Sequence, residues 1–268
     1  MKSLDADAIR RFADDPVRKR LTQLDVFAEI DSTNSYLMQT VGPDPGKIII
    51  AATSNQTAGR GRHGKTWVSP PGSGLCLSVA YTFAAQPDNL PALTLVLGLG
   101  AVAALEELGA TGIAVKWPND LVAQDAKLGG ILTEVQQRSG NAVTIVAGIG
   151  VNVDLQNNLG LERSVIDLKS ICDTRFEHEE IAGKIAIHLL QAFVDFEALG
   201  FAATAGRWSR YDWLLGRDVT VYTADREFSG VGAGVAADGA LLVDTAESGI
   251  RRVSSGTIAP GELRGKIS

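Results

Sequence analysis

A glycine-rich, basic segment is the part of the sequence best suited to bind an anion. Residues 53–67 read TSNQTAGRGRHGKTW, in which three glycines alternate with Arg60, Arg62, His63 and Lys65. Glycine permits positive φ and close backbone approach, so successive N–H groups can point at one anion. Arginine adds a two-pronged donor that fits phosphate or carboxylate. The segment therefore predicts a phosphate or carboxylate site, with a flexible, solvated turn as the alternative.

The same segment matches the P-loop pattern from Gly59 to Thr66, GRGRHGKT. A P-loop requires a helix that begins at its Lys-Thr pair. Here WVSPPG follows instead, and the tandem prolines Pro70 and Pro71 deny a helix its interior N–H groups. We therefore predict that this segment is a loop and that the chain is not a P-loop nucleotidase.

Hydrophobic periodicity predicts the elements that must position this loop. A short N-terminal helix is expected to break near Asp15-Pro16. Further helices are expected at 31–41, with a cap from Asp31 to Asn34, and at 89–108, 177–199 and 201–211. Strands are expected at 24–30, 47–55, 75–83, 113–117, 121–124, 127–137 and 142–153, and then at 219–223, 228–237, 240–244 and 250–256.

The connectors between the strands that follow residue 113 are short, and short connectors require antiparallel neighbours. The short strands after Leu215-Gly216 are separated by Gly and Asp turns, which is typical of a small barrel. The expected fold class is α+β: a mixed, largely antiparallel sheet flanked by helices. The expected domains are 1–214, which carries the glycine-rich loop, and 215–268, the barrel.

Composition narrows the function classes. A formal net charge of −6 and a pI near 5.2 disfavour a general nucleic-acid binder. Cys76 and Cys172 are predicted to be buried thiols in a reducing compartment. The apolar stretch Leu90 to Leu108 approaches membrane length but contains proline and glycine and ends in two glutamates, so we predict a buried amphipathic helix. The N-terminus has no apolar signal region, which favours a cytoplasmic location.

Five segments occur in order and together resemble the catalytic core of biotin–protein ligases. They are Ser32-Thr33-Asn34, Gln56 with 59–64, KWPND at 116–120, KLGGILTE at 127–134 and GIGVNV at 148–153. The resemblance runs from about residue 24 to the end, and the C-terminal strands resemble that family's SH3-like domain. It implies a catalytic domain of the class II aminoacyl-tRNA synthetase and biotin ligase type. His63 and Lys65 stand where the family often has arginine, and Gly129 stands where alanine is common.

The resemblance implies an enzyme that uses ATP and Mg²⁺ to convert biotin to biotinyl-AMP. The biotinyl group would then pass to a lysine of a biotin carboxyl carrier domain in a biotin-dependent carboxylase. About 25 residues precede the core, too few for a helix-turn-helix, so the expected class is monofunctional: no DNA, no membrane, and a monomer or weak homodimer. A lipoate or octanoyl ligase or transferase on the same fold is the alternative function. A non-enzymatic module that binds nucleic acid through the basic segment is a third.

The resemblance also assigns residues. Lys127 and Arg62 are expected beside the biotin carboxylate and the α-phosphate, where fixed positive charge lets one anion attack another. Asp120 is the candidate that orients and deprotonates the acceptor lysine, although it could simply cap the turn after Pro118. No metal ligand is assigned. The expected biotin-binding residues are Ser32, Thr33, Asn34, Gln56, Arg60, Gly61, Arg62 and Lys127; the expected ATP-binding residues are Arg60, Arg62, Lys65, Trp67, Asn119, Lys127 and Asn152.

Some of these residues have structural alternatives. Ser32, Thr33 or Asn34 could cap a helix, and Trp67 could be an ordinary core residue. Trp117 is predicted to be core rather than ligand-binding. His178 and His188 lie in a predicted helix without catalytic neighbours, so both are predicted to be structural or exposed.

Overall fold

A seven-stranded sheet forms the centre of the larger part of the molecule. The computed structural model describes residues 4–137, 140–155 and 164–263. The strands are β1 (Leu21–Phe27), β2 (Ile48–Thr53), β3 (Gly74–Phe83), β4 (Ile113–Lys116), β5 (Asp120–Ala123), β6 (Ala126–Gln137) and β7 (Val143–Asn152). Their order is β1-β2-β3-β7-β6-β5-β4. The pair β1–β2 is parallel and the other neighbours are antiparallel, which confirms the mixed, largely antiparallel sheet.

Six α-helices accompany the two sheets in the described residues. They are α1 (Ala6–Phe12), α2 (Asp15–Arg20), α3 (Thr33–Gln39), α4 (Leu93–Glu107), α5 (His178–Leu199) and α6 (Ala202–Tyr211). The predicted break near Asp15-Pro16 is confirmed: α1 ends at Phe12, Asp14 caps α2, and Pro16 sits in the first turn of α2. Proline is accepted there because the first helical N–H groups have no intrahelical partner. Ser32 caps α3 by accepting from the Ser35 N–H at 3.3 Å, as one alternative predicted.

Helix α4 is buried on nearly every side, which confirms the prediction of a buried helix but shows that the helix is not amphipathic. One face meets the sheet: a Cβ added at Gly98 would lie 3.2 Å from Val115. The opposite face meets α5: a Cβ added at Gly100 would lie 2.9 Å from the His188 carbonyl oxygen. Among the described residues, Leu90–Glu107 is the one segment long and apolar enough to cross a membrane, and 67% of it is buried in the fold. Its apolar character therefore has an explanation in core packing.

Five antiparallel strands make up the C-terminal sheet. They are β8 (Arg217–Tyr222), β9 (Glu227–Val235), β10 (Leu241–Thr245), β11 (Gly249–Val253) and β12 (Thr257–Leu263), in the order β11-β10-β9-β8-β12. Strand β12 was not predicted, because Pro260 and Gly261 hide its pattern. Proline is tolerated there because β12 lies at the edge of the sheet.

The two sheets are in direct contact at Trp117. Its indole Nε1 donates to the carbonyl oxygen of Gly239, in the turn between β9 and β10, at 2.9 Å. Gly239 packs closely on the start of α4, since an added Cβ would lie 2.8 Å from Ala92. Trp117 is buried, as predicted. The C-terminal sheet is thereby placed beside the KWPND segment, although the domain limits 1–214 and 215–268 remain a prediction.

Candidate active site

One cavity of about 210 Å³ collects nearly all the residues that the sequence singled out. It opens between the glycine-rich loop, the ends of β6 and β7, and the turn before β12. The predicted residues that line it are Ser32, Thr33, Asn34, Gln56, Arg60, Gly61, Arg62, Lys65, Trp67, Asn119, Asp120 and Lys127.

Neutral polar side chains form one end of the cavity. The Oε1 atom of Gln56 accepts from the backbone N–H of Thr33 at 2.8 Å and from its hydroxyl at 3.1 Å. Beneath them, the buried Ser78 hydroxyl lies 2.7 Å from the Thr33 hydroxyl and 2.6 Å from Asn34 Oδ1. This network ties the α3 residues to the sheet and to Gln56.

The amide of Asn34 is almost fully engaged by the protein. Its Nδ2 donates to the Leu132 carbonyl at 3.1 Å and to Glu134 Oε2 at 2.9 Å, which uses both of its hydrogens. Its Oδ1 keeps one acceptor site beyond the Ser78 contact. A Cβ at Gly148 would overlap this oxygen, so only glycine leaves room for it. Toward a ligand, Asn34 can therefore act as a hydrogen-bond acceptor.

Positive charge forms the other end of the cavity. Lys127 pairs with Asp120 across the β5–β6 hairpin and lies 5.6 Å from the Trp67 ring. Only 12% of the Lys127 side chain is exposed, so it is not the solvated turn residue that its position in the sequence would otherwise suggest. A cation held this far from water attracts an incoming anion more strongly than a surface lysine does.

The glycine-rich loop is ordered and lies over the cationic end. Gly61 N–H donates to the Lys65 carbonyl at 2.7 Å, and Trp67 N–H donates to the Gly59 carbonyl at 2.9 Å. The helical content is a single 3₁₀ turn, Arg62–Gly64, that contains a residue at φ 54°. No α-helix begins at the Lys-Thr pair, which agrees with the rejection of a P-loop.

Arg62 and Trp67 bring this loop into the cavity. Burial lowers the pKa of the Arg62 guanidinium, and the charge of Asp120 opposes that effect. A bound anion would offset the cost of burying this charge. The Trp67 indole packs on β7 so closely that a Cβ at Gly150 would lie 2.5 Å from it. Its Nε1 is buried and has no hydrogen-bond partner within the described chain.

Two further asparagines hold strand β6 in place. Asn119 Nδ2 donates to the Ile131 carbonyl at 2.8 Å, and Asn119 still lines the cavity. Asn152 behaves differently: its Nδ2 donates to the Lys127 and Ile166 carbonyls at 3.2 and 3.0 Å, and it is not among the cavity-lining residues. The structure therefore gives Asn152 the task of fixing the Lys127 backbone, and its predicted contact with ATP stays a prediction.

Sequence reasoning gave no role to several residues of this site. Ser78 ties Thr33 to Asn34, and a serine inside the apolar strand LCLSVAYTF was the signal that could have found it. Glu134 pairs with Arg60 at 2.6 Å, and Lys116 lines the cavity; both lie in the quoted motifs. The C-terminal sheet adds Gly256, Thr257 and Ile258, which no local pattern could have indicated.

The structure gives no catalytic role to the two cysteines or to the two histidines of α5. Cys76 lines the cavity, but burial raises the pKa of its thiol to about 11, so it is not a thiolate near neutral pH. Cys172 is half-buried, which corrects the prediction that both thiols are buried. His188 contacts Glu107 at 2.8 Å on the far side of α4, and burial lowers the pKa of His178.

The described residues contain no group of three or more His, Cys, Asp or Glu side chains that could hold a metal ion. A Mg²⁺ ion that enters bound to ATP would need few protein ligands, because Mg²⁺ commonly keeps several waters and binds mainly to phosphate oxygens.

Comparisons with known proteins agree with this geometry. A sequence model of the biotin/lipoate A/B protein ligase family matches residues 26–152, and one of the biotin protein ligase C-terminal domain matches residues 214–259. The "Bifunctional ligase/repressor BirA" of Escherichia coli is 36% identical over 224 residues, which span 82% of this chain and 68% of that protein. The chain belongs to the biotin protein ligase family.

Other members support the same assignment. The "Biotin--[acetyl-CoA-carboxylase] ligase" of Mycobacterium tuberculosis is 38% identical over 137 residues, 49% of each protein. The structure of a biotin protein ligase from Aquifex aeolicus in complex with biotin and ATP has a TM-score of 0.74 and 28% identity. It covers 91% of this chain and 99% of that chain, so the similarity includes both sheets.

Proposed function

We propose that this chain activates biotin with ATP and transfers the biotinyl group to a lysine of a biotin carboxyl carrier domain. The observation that carries this proposal is that a single cavity combines a neutral, hydrogen-bonding end with a cationic end. Biotin has a neutral ureido ring at one end and a carboxylate at the other. The two ends of the cavity match these two groups in polarity.

At the neutral end, the ring would be recognised by its hydrogen-bonding edges. Asn34 Oδ1 can accept from a ureido N–H, and the Ser32 hydroxyl, which already accepts from a backbone N–H, can donate to the ureido oxygen. Buried polar groups discriminate strongly, because a ligand without matching groups leaves them unpaired. This arrangement favours a ureido ring over the dithiolane ring of lipoate.

At the cationic end, the biotin carboxylate would attack the α-phosphorus of ATP, and diphosphate would leave. Two anions approach each other in this step, so fixed positive charge lowers its barrier. Lys127 and the half-buried Arg62 supply that charge inside the cavity, and Arg60 and Lys65 supply it at the more exposed rim. Mg²⁺ bound to the phosphates would neutralise the departing diphosphate.

Biotinyl-AMP is a mixed anhydride, so water must be kept from it between the two steps. The loop from Gly59 to Trp67 lies directly over the cationic end and carries Arg62 into the cavity. A closed loop would exclude water and retain the adenylate.

In the second step, the acceptor lysine would attack the acyl carbon, and AMP would leave. The amine must be neutral, and deprotonation of a lysine with a pKa of about 10.4 costs about 4–5 kcal/mol at pH 7. Asp120 lines the cavity and pairs with Lys127, which supports a role for its carboxylate in this step. We assign it the task of orienting the acceptor ammonium and accepting its proton.

The proposal also includes the compartment and the oligomeric state of the enzyme. A net charge of −6 makes the chain poorly suited to bind DNA or anionic membranes. We propose that it acts in the cytoplasm, as a monomer or weak homodimer, on its carrier domain.

Pyrophosphate exchange tests the proposed activation step. The protein is incubated with labelled pyrophosphate, Mg-ATP and either biotin, lipoate or no acid, and label in ATP is counted. Exchange that depends on biotin and is at least tenfold weaker with lipoate is the expected result. Equal or stronger exchange with lipoate would instead identify a lipoate-activating enzyme, and exchange with neither acid would refute acid activation.

A further inference from the structure

One carboxylate oxygen joins the neutral end of the cavity to the glycine-rich loop. Glu134 Oε2 accepts from the Arg60 guanidinium at 2.6 Å and from Asn34 Nδ2 at 2.9 Å. Asn34 belongs to α3 and Arg60 belongs to the loop, 26 residues later in the chain. Glu134 itself lies on β6, where it pairs with Val146 of β7 in the rigid centre of the sheet.

The loop is held by hydrogen bonds within its own backbone and, at its C-terminal end, by the packing of the Trp67 indole on β7. The hydrogen bonds from Gly61 to Lys65 and from Trp67 to Gly59 close the loop on its own backbone. The Arg60–Glu134 ion pair, in contrast, connects the loop to β6. Glu134 is 24% exposed and Arg60 is 42% exposed, so the pair is partly shielded from water and has a charge-assisted geometry.

We infer that Glu134 is a positioning residue that couples occupancy of the ring pocket to closure of the glycine-rich loop. This inference rests on the proposed function. When a ring hydrogen-bonds to Asn34 Oδ1, it restricts the Asn34 amide, and the restricted Nδ2 holds Glu134 in the rotamer that pairs with Arg60. Because coupling is reciprocal, a closed loop in turn favours the ring-bound state.

The Glu134→Gln variant isolates this coupling. Glutamine keeps the size of the side chain and an oxygen that can accept from Asn34, but it removes the charge that holds Arg60. Gln136→Ala is the matched control, because Gln136 lies two residues further along β6 and donates to the Met38 and Thr40 carbonyls instead of the loop. The double variant Arg60→Gln/Glu134→Gln tests whether the two residues act as one unit.

Trypsin reports loop closure independently of catalysis. Cleavage after Arg62, a site that all these variants retain, is followed by mass spectrometry with and without biotin, in the absence of ATP. Wild type and Gln136→Ala are expected to be protected by biotin at least fivefold. Glu134→Gln is expected to lose most of that protection, and Glu134→Asp, which keeps the charge, to retain part of it.

Kinetics provide the second readout. Glu134→Gln is expected to raise KM for biotin about tenfold with a smaller change in kcat, and the Arg60→Gln substitution is expected to add little to it. Protection by biotin equal to wild type in Glu134→Gln, or fully additive effects in the double variant, would overturn the inference. If wild type itself shows neither biotin-dependent exchange nor protection, the proposed function has failed rather than the role of Glu134.

Discussion

The amine of Lys127 and the carboxylate of Asp120 form an ion pair inside the cavity, on adjacent strands of the β5–β6 hairpin. Gly130 makes room for this pair, because a Cβ there would lie 3.2 Å from Lys127 Nζ and 3.4 Å from Asp120 Oδ1. The pair places the residue assigned to the first half-reaction next to the residue assigned to the second. Because the two residues are assigned to different steps, each substitution should affect mainly one half-reaction, with a smaller effect on the other through the shared ion pair.

Substitution of Lys127 tests the first step. Lys127→Met should lower biotin-dependent pyrophosphate exchange by about 10²–10³-fold, because it removes a fixed charge from the reacting anions. Lys184→Met is the control, since Lys184 also forms a carboxylate pair, with Glu107, but away from the cavity. A Lys127→Met protein that exchanges pyrophosphate at the wild-type rate would exclude the assigned role.

Asp120→Asn tests the second step. Asparagine keeps the shape but cannot accept the proton of the acceptor ammonium, so transfer from preformed biotinyl-AMP to the carrier domain should slow by about 10²–10⁴-fold. Pyrophosphate exchange should fall much less. The measurement is a single-turnover chase of the loaded enzyme with the carrier domain. Equal losses in exchange and transfer would mean that Asp120 serves only to position Lys127.

A methyl group at Gly148 should damage the ring pocket without unfolding the chain. Gly148→Ala would push against Asn34 Oδ1, so we expect KM for biotin to rise about tenfold, the equivalent of one neutral hydrogen bond of about 1.4 kcal/mol. Gly206→Ala is the control, because a Cβ there meets no atom of the described chain within 4 Å. Unchanged affinity for biotin in Gly148→Ala, measured by calorimetry, would argue against this placement of the ring.

The Cys76 thiol provides a test that depends on pH. Burial raises its pKa from 9.0 to about 11, so at pH 8 its thiolate fraction in the folded chain should be roughly 100-fold below that of the unfolded chain. In a Cys172→Ser background, iodoacetamide should therefore react at pH 8 at least that much more slowly before urea is added than after. The raised pKa means that reactivity should appear only as the pH approaches 11. Rapid labelling of the folded protein at pH 8 would show that Cys76 is accessible to solvent and not buried beneath the cavity.

Local patterns predicted most of the helices and strands, and the family resemblance predicted the composition of the site. Strands β4 to β7 were predictable because short connectors leave antiparallel pairing as the geometric solution. Strand β12 was missed because Pro260 and Gly261 interrupt its pattern, and the all-round burial of α4 depends on α5, more than 70 residues later. A packing partner that is distant in the sequence, such as α5 for α4, leaves no signal in the local sequence pattern.

The site likewise contains residues that could be predicted from the sequence and contacts that could not. The resemblance assigned Asn34, Gln56, Arg62 and Lys127 to one site, and the structure brings them together in one cavity. Spacing did not reveal that Asn152 faces the backbone of Lys127, because side-chain direction depends on the local register of β6 and β7.

The glycine-rich loop is proposed to retain the adenylate through Arg62. Arg62→Gln should still form biotinyl-AMP, more slowly, but should release it into solution because the loop has lost the charge that it brings to the ligand. Arg11→Gln, an exposed arginine on α1, should behave as wild type.

The direct measurement uses tritiated biotin and ATP labelled in its α-phosphate, followed by rapid desalting and a chase with the carrier domain. Wild type is expected to elute with both labels in equal amounts and then to pass the biotin label to the carrier domain, whereas Arg62→Gln is expected to elute with neither label. If wild type elutes without both labels, or if Arg62→Gln retains them as wild type does, the loop does not retain the adenylate through Arg62.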